Sequence, residues 1–326
     1  MSLRTVRPRP SGLPVAAGLL GGLVADRLLG DPRRGHPVAL FGSAMLALEA
    51  RIWRDDRAAG VGYAVVGAAL GAGPVLLADR ALMERPVSRA ALTATVTWAA
   101  LGGRSLAGAG RRLGALVADD DLEGARALAP TLVGRDPATL DGAGLARAGL
   151  ESVAENTSDA VVAPFVWGAL LGAPGVALHR ALNTMDAMVG HRSERYERFG
   201  WAAARADDVA GWPAARLAAL ATGAVAGSVG GDGPRAWRTW WRDGAAHPSP
   251  NAGRVEAAFA GALGVRLGGR NVYGGRVEDR PVLGDGPRAR DPDAADLDRA
   301  ARLSLRVGTA TAVVCAAAAW VLRRRR

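Results

Sequence analysis

Residues 151–179 read ESVAENTSDAVVAPFVWGALLGAPGVALH, in which three carboxylates and a carboxamide precede about twenty residues without a charge. An uncharged run of this length is typical of a membrane-spanning helix. Acidic and Asn residues suit the positive end of a helix, so the polar residues could serve only as a cap. The Gly- and Pro-containing break LGAPG at 171–175 instead favours a turn inside the run. The segment therefore predicts either a straight crossing or a re-entrant hairpin.

The composition of the whole chain also indicates a membrane protein. Hydrophobic residues make up 49% of the 326 positions and 44 further residues are glycine, a share above that of an ordinary soluble domain. All 41 basic residues are arginine, and many flank apolar stretches. The net charge of +10 is not accompanied by a nucleic-acid-binding motif, so no nucleic-acid partner is expected. The absence of lysine excludes a P-loop or Schiff-base lysine.

The distribution of apolar segments predicts a mainly α fold, a polytopic α-helical integral membrane protein with long polar loops between its spans. Alternation of polar and apolar residues, the mark of a half-buried strand, is nearly absent. We expect an Arg-rich tail at 1–10 and a single membrane-embedded domain at 11–326, with a surface linker at 285–298. The predicted spans are 11–25, 58–78, 90–103, 160–178, 209–231 and 307–322. The polar segments are 26–57, 104–159, 179–208 and 232–302, and the last of these is predicted to be a long loop rich in Trp, Pro and Gly.

One helical face before the quoted apolar run is acidic. Residues four apart share a face of a helix, so Glu151, Glu155 and Asp159 form a stripe with Asn156 beside it. Oxygen ligands at this density suit Mg²⁺, although a solvated acidic face with a capping Asp fits the same spacing. The element Asn-Thr-x-Asp recurs at 183–186, which favours the metal. The predicted ligands are Glu155, Asn156, Asp159, Asn183 and Asp186, with Glu151 and Glu155 as catalytic carboxylates.

Arginines follow in the stretch 190–217, where they alternate with acidic residues and aromatic rings. Such alternation is typical of a salt-bridged surface, but guanidinium groups also match phosphate and carboxylate in geometry. Arg192, Arg195 and Arg205 are therefore predicted to bind an anionic substrate.

Two His-Pro elements lie outside that stretch, at His36 and His247. A proline after the imidazole fixes the turn, so either histidine could carry a proton, although a lone histidine is more often structural.

Several of these stretches together resemble one family. They are DRLLGDPRRGHPV near the start, VGRDPATLD at 133–141, ESVAENTSDAVVAPF at 151–165, NTMDAMVGHRSERYERFGWAAARADDV at 183–209, PAARL, HPSPNAG at 247–253 and LGGRNVYGG. Their order over residues 20–285 is similar to that of the CobD/CbiB cobalamin-biosynthesis proteins. Each motif is a modest signal, whereas the ordered set is specific.

The resemblance implies an enzyme of the cell membrane that joins adenosylcobyric acid, a corrinoid, to (R)-1-aminopropan-2-ol or its phosphate and consumes ATP with Mg²⁺. Expected partners are these two substrates, membrane lipid and other enzymes of the pathway. Within HPSPNAG, Asn251 joins the arginines as a substrate-binding candidate. An AmpE-like membrane sensor is the alternative, and it would need neither the acidic stripe nor HPSPNAG. A prenyltransferase would need longer Asp-rich motifs, and a transporter would need charges in mid-span.

The predicted topology contains a conflict. Arginines at both ends of the chain predict cytoplasmic termini and an even number of spans. ATP and the corrinoid place the active site on the cytoplasmic side too, yet six plain spans would put 26–57 and 104–159 outside. We therefore expect one apolar segment to be re-entrant, with its turn at LGAPG.

Overall fold

The computed structural model describes residues 12–32, 35–134, 136–191, 193–273 and 276–324. This part of the chain is almost entirely helical, so the prediction of a mainly α protein is confirmed. The helices are α1 Leu13–Leu29, α2 Pro37–Ile52, α3 Arg57–Ala81, α4 Pro86–Ala100, α5 Gly103–Ala118, α6 Leu122–Leu128, α7 Gly142–Thr157, α8 Ala163–Leu171, α9 Ala173–Val189, α10 Trp201–Val225, α11 Gly233–Asp243, α12 Ala252–Leu263 and α13 Ala294–Arg324. The strands are β1 Leu267–Tyr273 and β2 Arg276–Leu283.

Three helices among the described residues are long and apolar enough to cross a membrane. They occupy Arg57–Ala81, Trp201–Val229 and Ala294–Leu322. The predicted spans 11–25 and 90–103 fall in the shorter helices α1 and α4, which have 17 and 15 residues. Length and composition of these three helices therefore support membrane association, and the six-span arrangement stays a prediction.

Small residues let α1 pack closely against its neighbours. Gly18 and Gly22 lie directly against Thr93 and Thr97 of α4, as in close helix pairs within membranes. On another side, Gly12 lies against Trp320 at the end of α13. At the far end of α1, Arg27 donates a hydrogen bond of 2.6 Å to the carbonyl of Leu305. The two helices are therefore antiparallel, with the start of α1 beside the end of α13.

The apolar run 160–178 does not form one straight helix. The chain bends at Gly172, whose φ of 74° ends α8 and begins α9. A left-handed residue at this point is best tolerated as glycine, and Pro174 follows at the start of the next helix. Gly168 and Val176 pack against each other across the bend. The turn expected at LGAPG is present, and the straight crossing is wrong.

The interpretation of residues 232–302 as a long loop is also wrong. The segment contains α11, α12 and an antiparallel hairpin in which Leu267 pairs with Leu283. The buried carboxylate of Glu151 accepts a hydrogen bond of 2.7 Å from the N–H of Gly268, so the hairpin depends on a tertiary contact that its Gly-rich sequence does not reveal.

The segment 285–298, expected to be a linker, is helical from Ala294 onwards. Asp296 in the first turn of α13 is fully buried and pairs with Arg290 and Arg299 at 2.6 and 3.1 Å.

Candidate functional site

The end of α7 is held by hydrogen bonds before the chain widens into a π-helical turn at Ser158–Val162. Thr157 donates to the carbonyl of Val153 at 2.7 Å, and its oxygen lies 2.7 Å from the hydroxyl of Ser304 on α13. Single π-helical turns are frequent at functional sites, because they rotate side chains relative to a regular helix. Here the turn carries Asp159, one turn beyond Glu155.

Carboxylates from three helices meet beside this turn. We call Glu155, Asp159, Asp186, Asp207 and Asp208 the carboxylate cluster. Burial raises the pKa of Asp159 well above its ordinary value, and the nearby charges of Asp207 and Glu155 raise it further. Burial likewise raises the pKa of Asp186 to about 6, with smaller contributions from Asp208 and Glu155. Helix α10 packs against both α9 and the π-helical turn that follows α7, and this packing brings the groups close together.

Two polar side chains of α9 complete the cluster. Arg180 donates to Asn183 at 3.4 Å, and its nearest charges include Asp159, Asp31 and Asp207. Asn183 in turn faces the carboxylate of Asp207. Burial lowers the pKa of Arg180, and the surrounding carboxylates oppose that shift. Three carboxylates, Asp159, Asp31 and Asp207, thus act on this one buried arginine, and the excess of carboxylates suits a bound cation.

The cluster supplies oxygen donors of the kind that Mg²⁺ prefers. Among the described residues, no three His, Cys, Asp or Glu side chains are arranged to hold a metal by themselves. Mg²⁺ in proteins commonly takes one or two carboxylates and fills its other positions with water and substrate phosphates. The buried Oδ1 of Asp207 has no hydrogen-bond donor among the described residues. Such an oxygen is costly unless a ligand compensates it.

Most of the predicted metal ligands reach the cluster. Glu155, Asp159 and Asp186 belong to it, and Asn183 contacts it through Asp207. Asn156 stands beside it and donates back to the carbonyl of Ser152 at 2.9 Å.

Glu151, one turn before Glu155, has a different environment. It is 4% exposed and holds Gly268 of the hairpin.

The two His-Pro elements have the same local geometry. Nδ1 of His36 accepts the N–H of Val38 at 3.2 Å, and Nδ1 of His247 accepts the N–H of Ser249 at 3.0 Å. Each imidazole thus stabilises its own turn, and His36 caps α2. Nε2 of His247 also lies 3.9 Å from Glu256.

The predicted substrate-binding residues have other contacts. Arg195 donates to Glu49 at 3.0 Å and stacks on Trp53. Arg205 lies on the exposed side of α10, 3.7 Å from Asp208. The buried side chain of Asn251 donates to the carbonyl of Asp208 at 2.8 Å and accepts from Arg216 at 2.9 Å. These two hydrogen bonds join the start of α12 to α10. Arg192 lies outside the described residues.

Four residues of the site were not among those predicted from sequence: Asp31, Arg180, Asp207 and Asp208. The adjacent pair Asp207–Asp208 was assigned to a salt-bridged surface, because arginines alternate with acids around it. The available signal was its position: like Asp159, the pair directly precedes a long apolar run.

The cluster lies away from the end of the molecule where α1 begins. Ser304 of α13 contacts Thr157, which directly precedes the π-helical turn beside the cluster. Trp320, which lies beside Gly12, follows sixteen residues later in α13. Sixteen helical residues span about 24 Å, most of the thickness of a bilayer core. If α13 crosses the membrane, the start of α1 and the end of α13 face the side opposite the cluster. In that arrangement the helix ends and the active site would not share one side, so the expectation that both are cytoplasmic stays a prediction.

Comparison with known proteins gives a consistent match. Residues 19–304 match the family model for CobD/Cbib protein. A relative from Mycobacterium tuberculosis, named cobalamin biosynthesis protein CobD, is 54% identical over 312 residues, covering 95% of this chain and 97% of the relative. Relatives of the same name from Geobacter metallireducens and Rhizobium meliloti are 41% and 42% identical, covering 85% and 82% of this chain and 89% and 86% of their own. No solved structure matches the chain.

Proposed function

Because the chain belongs to the CobD/CbiB family of cobalamin biosynthesis proteins, we propose that it is the adenosylcobinamide-phosphate synthase of that pathway. It would form an amide between a propionate of adenosylcobyric acid and (R)-1-aminopropan-2-ol or its O-phosphate, using ATP. The observation that carries the proposal is the convergence of Glu155, Asp159, Asp186 and Asp207 from three helices beside one buried arginine.

The reaction requires activation, because a carboxylate is a poor acyl donor. Transfer of the γ-phosphoryl group of ATP to the propionate would give an acyl phosphate and ADP. Attack by the neutral amine would then form the C–N bond and release phosphate, with one proton leaving the nitrogen. A bound Mg²⁺ would neutralise the phosphate oxygens of ATP during the transfer. Asp159 and Asp207 are the residues that would hold the ion, with Asn183 orienting Asp207.

The remaining polar groups of the site suit the other requirements of this chemistry. Asp186, with a pKa of about 6, is matched to accept the proton of the attacking amine near neutral pH. Arg180 is placed beside Asp159 and Asn183, where a guanidinium would bind phosphoryl oxygens bidentately. Holding both reactants in one cleft would supply the orientation that makes the attack effectively unimolecular.

An AmpE-like sensor without ligase activity is not favoured. Burying several like charges together destabilises a fold. A sensor without a reaction at this site would not require such a cluster. A metal-dependent reaction at the cluster accounts for it.

Mass spectrometry on membranes that contain the protein tests the proposal. The reaction would contain adenosylcobyric acid, aminopropanol phosphate, ATP and Mg²⁺, each omitted in turn. We expect a corrinoid heavier by the aminopropanol phosphate minus water, dependent on every component. Asp207→Asn should lower the rate at least 100-fold, whereas Glu123→Gln, an exposed acid on α6, should retain it. Product formation without ATP, or full activity of Asp207→Asn, would contradict the assignment.

A further inference from the structure

One face of α10 carries exposed aromatic, aliphatic and arginine side chains in a single line that continues onto α11. Its spacing of three or four residues keeps the side chains on the same side of the helix. The exposed fractions are 41% for Trp201, 75% for Val209, 55% for Trp212 and 48% for Leu220. We call this surface the Trp–Arg stripe; its members are Trp201, Arg205, Val209, Trp212, Arg216 and Leu220 of α10 with Trp237 and Trp241 of α11.

The two helices present the stripe as one continuous surface. The indole N–H of Trp237 donates to the carbonyl of Leu220 at 3.1 Å, and its ring packs on Gly223. Trp241 is 78% exposed, and Leu220, Trp237 and Trp241 line one open groove of about 1170 Å³. On α10 the guanidinium of Arg216 lies 4.5 Å from the ring centre of Trp212. The stripe thus mixes rings and cations along its length.

The exposed face of α3 is of a different kind. Its exposed large side chains include Val61, Val65, Leu70 and Leu77. Only 17% of its most apolar stretch of 18 residues is buried by the rest of the protein. Such a face suits the hydrocarbon core of a bilayer. The corresponding stretch of the helix that contains α10 is 56% buried. The unburied side of α10 carries Arg205 and Arg216. Arginines facing lipid tails are disfavoured, whereas tryptophan and arginine together are typical of the headgroup region.

We propose that the Trp–Arg stripe lies in the headgroup layer of the membrane, with α10 running along the bilayer surface instead of crossing it. The rings of Trp212 and Trp241 would insert at the boundary between headgroups and tails. The exposed guanidinium of Arg205 would contact lipid phosphates, in the manner of interfacial amphipathic helices. Lipid is the occupant that the surface fits, because anionic headgroups complement its arginines and lipid boundaries accommodate its rings. The proposal is independent of the ligase reaction.

Depth measurements on the full-length protein in nanodiscs of phosphatidylcholine and phosphatidylglycerol test the proposal. A Cys315→Ala background would carry a nitroxide spin label at Val209→Cys, Leu220→Cys or Trp241→Cys, with Leu70→Cys on α3 as the deep reference. Collision with oxygen and with a water-soluble nickel chelate gives the depth of each label. We expect similar, shallow depths for the three stripe positions, about 5–10 Å below the phosphates, and a deeper position for Leu70.

Two results would overturn the proposal. A crossing helix would separate the labels at 209 and 220 by about 16 Å along the membrane normal. Labels that collide with the nickel chelate as freely as in water would show that the stripe faces solvent, where the groove would serve a soluble ligand. Thermal unfolding of each labelled protein at the Tm of its unlabelled parent would establish that it is folded, so either result would count against the lipid contact.

Discussion

The hydroxyl oxygens of Thr157 and Ser304 lie 2.7 Å apart in the protein interior, and this contact joins the end of α7 to α13 immediately before the carboxylate cluster. Both side chains are fully buried, so neither hydroxyl has water as an alternative partner. The contact lies directly before the π-helical turn that carries Asp159.

Replacing Thr157 by valine should therefore destabilise the protein. Valine keeps the shape but leaves the Ser304 hydroxyl without this partner, at a cost of about 1–3 kcal/mol. Thermal unfolding in detergent should show a lower Tm. The double variant Thr157→Val with Ser304→Ala removes both hydroxyls and should recover much of the loss. A double variant as unstable as the sum of its single variants would show that the two hydroxyls do not interact.

Neutralising the cluster should stabilise the protein while it removes activity. Asp186→Asn removes a charge that is disfavoured first by burial and then by Asp208 and Glu155. The free energy of unfolding of the Mg²⁺-free variant should therefore exceed that of the parent by about 1–3 kcal/mol at pH 7.5. The same variant should lose most of the stabilisation that Mg²⁺ with ATP gives the parent. A variant less stable than the parent would mean that Asp186 makes favourable contacts in the metal-free protein.

The stability of the metal-free protein should depend on pH through the same group. The folded-state pKa of Asp186 is about 6, against an ordinary value of 3.8. The folded protein thus holds a proton that the unfolded chain has already released. Its contribution to stability is fully present below pH 3.8 and is lost as the pH rises through about 6. Tm measured between pH 5 and 7 should fall more steeply for the parent than for Asp186→Asn.

Metal binding should reverse that dependence. Since the ionised Asp186 lies beside Asp207 and attracts a nearby cation, Mg²⁺ should bind more weakly below about pH 6, where Asp186 takes up a proton. Titration of Mg²⁺ with ATP at pH 5.5 and 7.5, followed by the shift in Tm, would measure the difference. Equal Mg²⁺ affinity at both pH values would show that ionisation of Asp186 does not control metal binding.

The start of α1 and the end of α13 should face the opposite side of the membrane from the carboxylate cluster. Cysteines replacing Leu13 and Leu322, both well exposed, should react with an impermeant maleimide from one side. A cysteine replacing Glu194, after α9, should react from the other. The single native Cys315 is buried and would be replaced by alanine. Labelling of all three from one side would mean that α13 does not cross the bilayer.

The bend at Gly172 should tolerate no larger residue without cost. Its φ of 74° is strained for residues with a Cβ, so Gly172→Ala should lower the free energy of unfolding by about 1–2 kcal/mol. Gly134→Ala offers a control, because a methyl group there meets no neighbour and its φ is ordinary. Equal stability of the two variants would contradict the role of the left-handed turn.

Local sequence patterns are sufficient to predict the helical class, the bend at LGAPG and the acidic residues that flank it. These features follow from uncharged runs, residue spacing and the backbone preferences of Gly and Pro, all of which act between near neighbours in the chain. The spacing of four residues also put Glu151 and Glu155 on one face of α7. Only the tertiary structure decided that β1 covers Glu151, while Glu155 joins the carboxylates of α9 and α10.

The same reason explains why Asp207 and Asp208 were assigned to a surface. Local charge alternation describes a solvated helix well, but burial depends on which helix packs against it, and that is set by contacts distant in sequence. The hydrogen bonds of Asn251 to the Asp208 carbonyl and to Arg216 join α12 to α10 across more than thirty residues of chain. Helix formation is thus a local property of this chain, and the site is a property of how its helices pack.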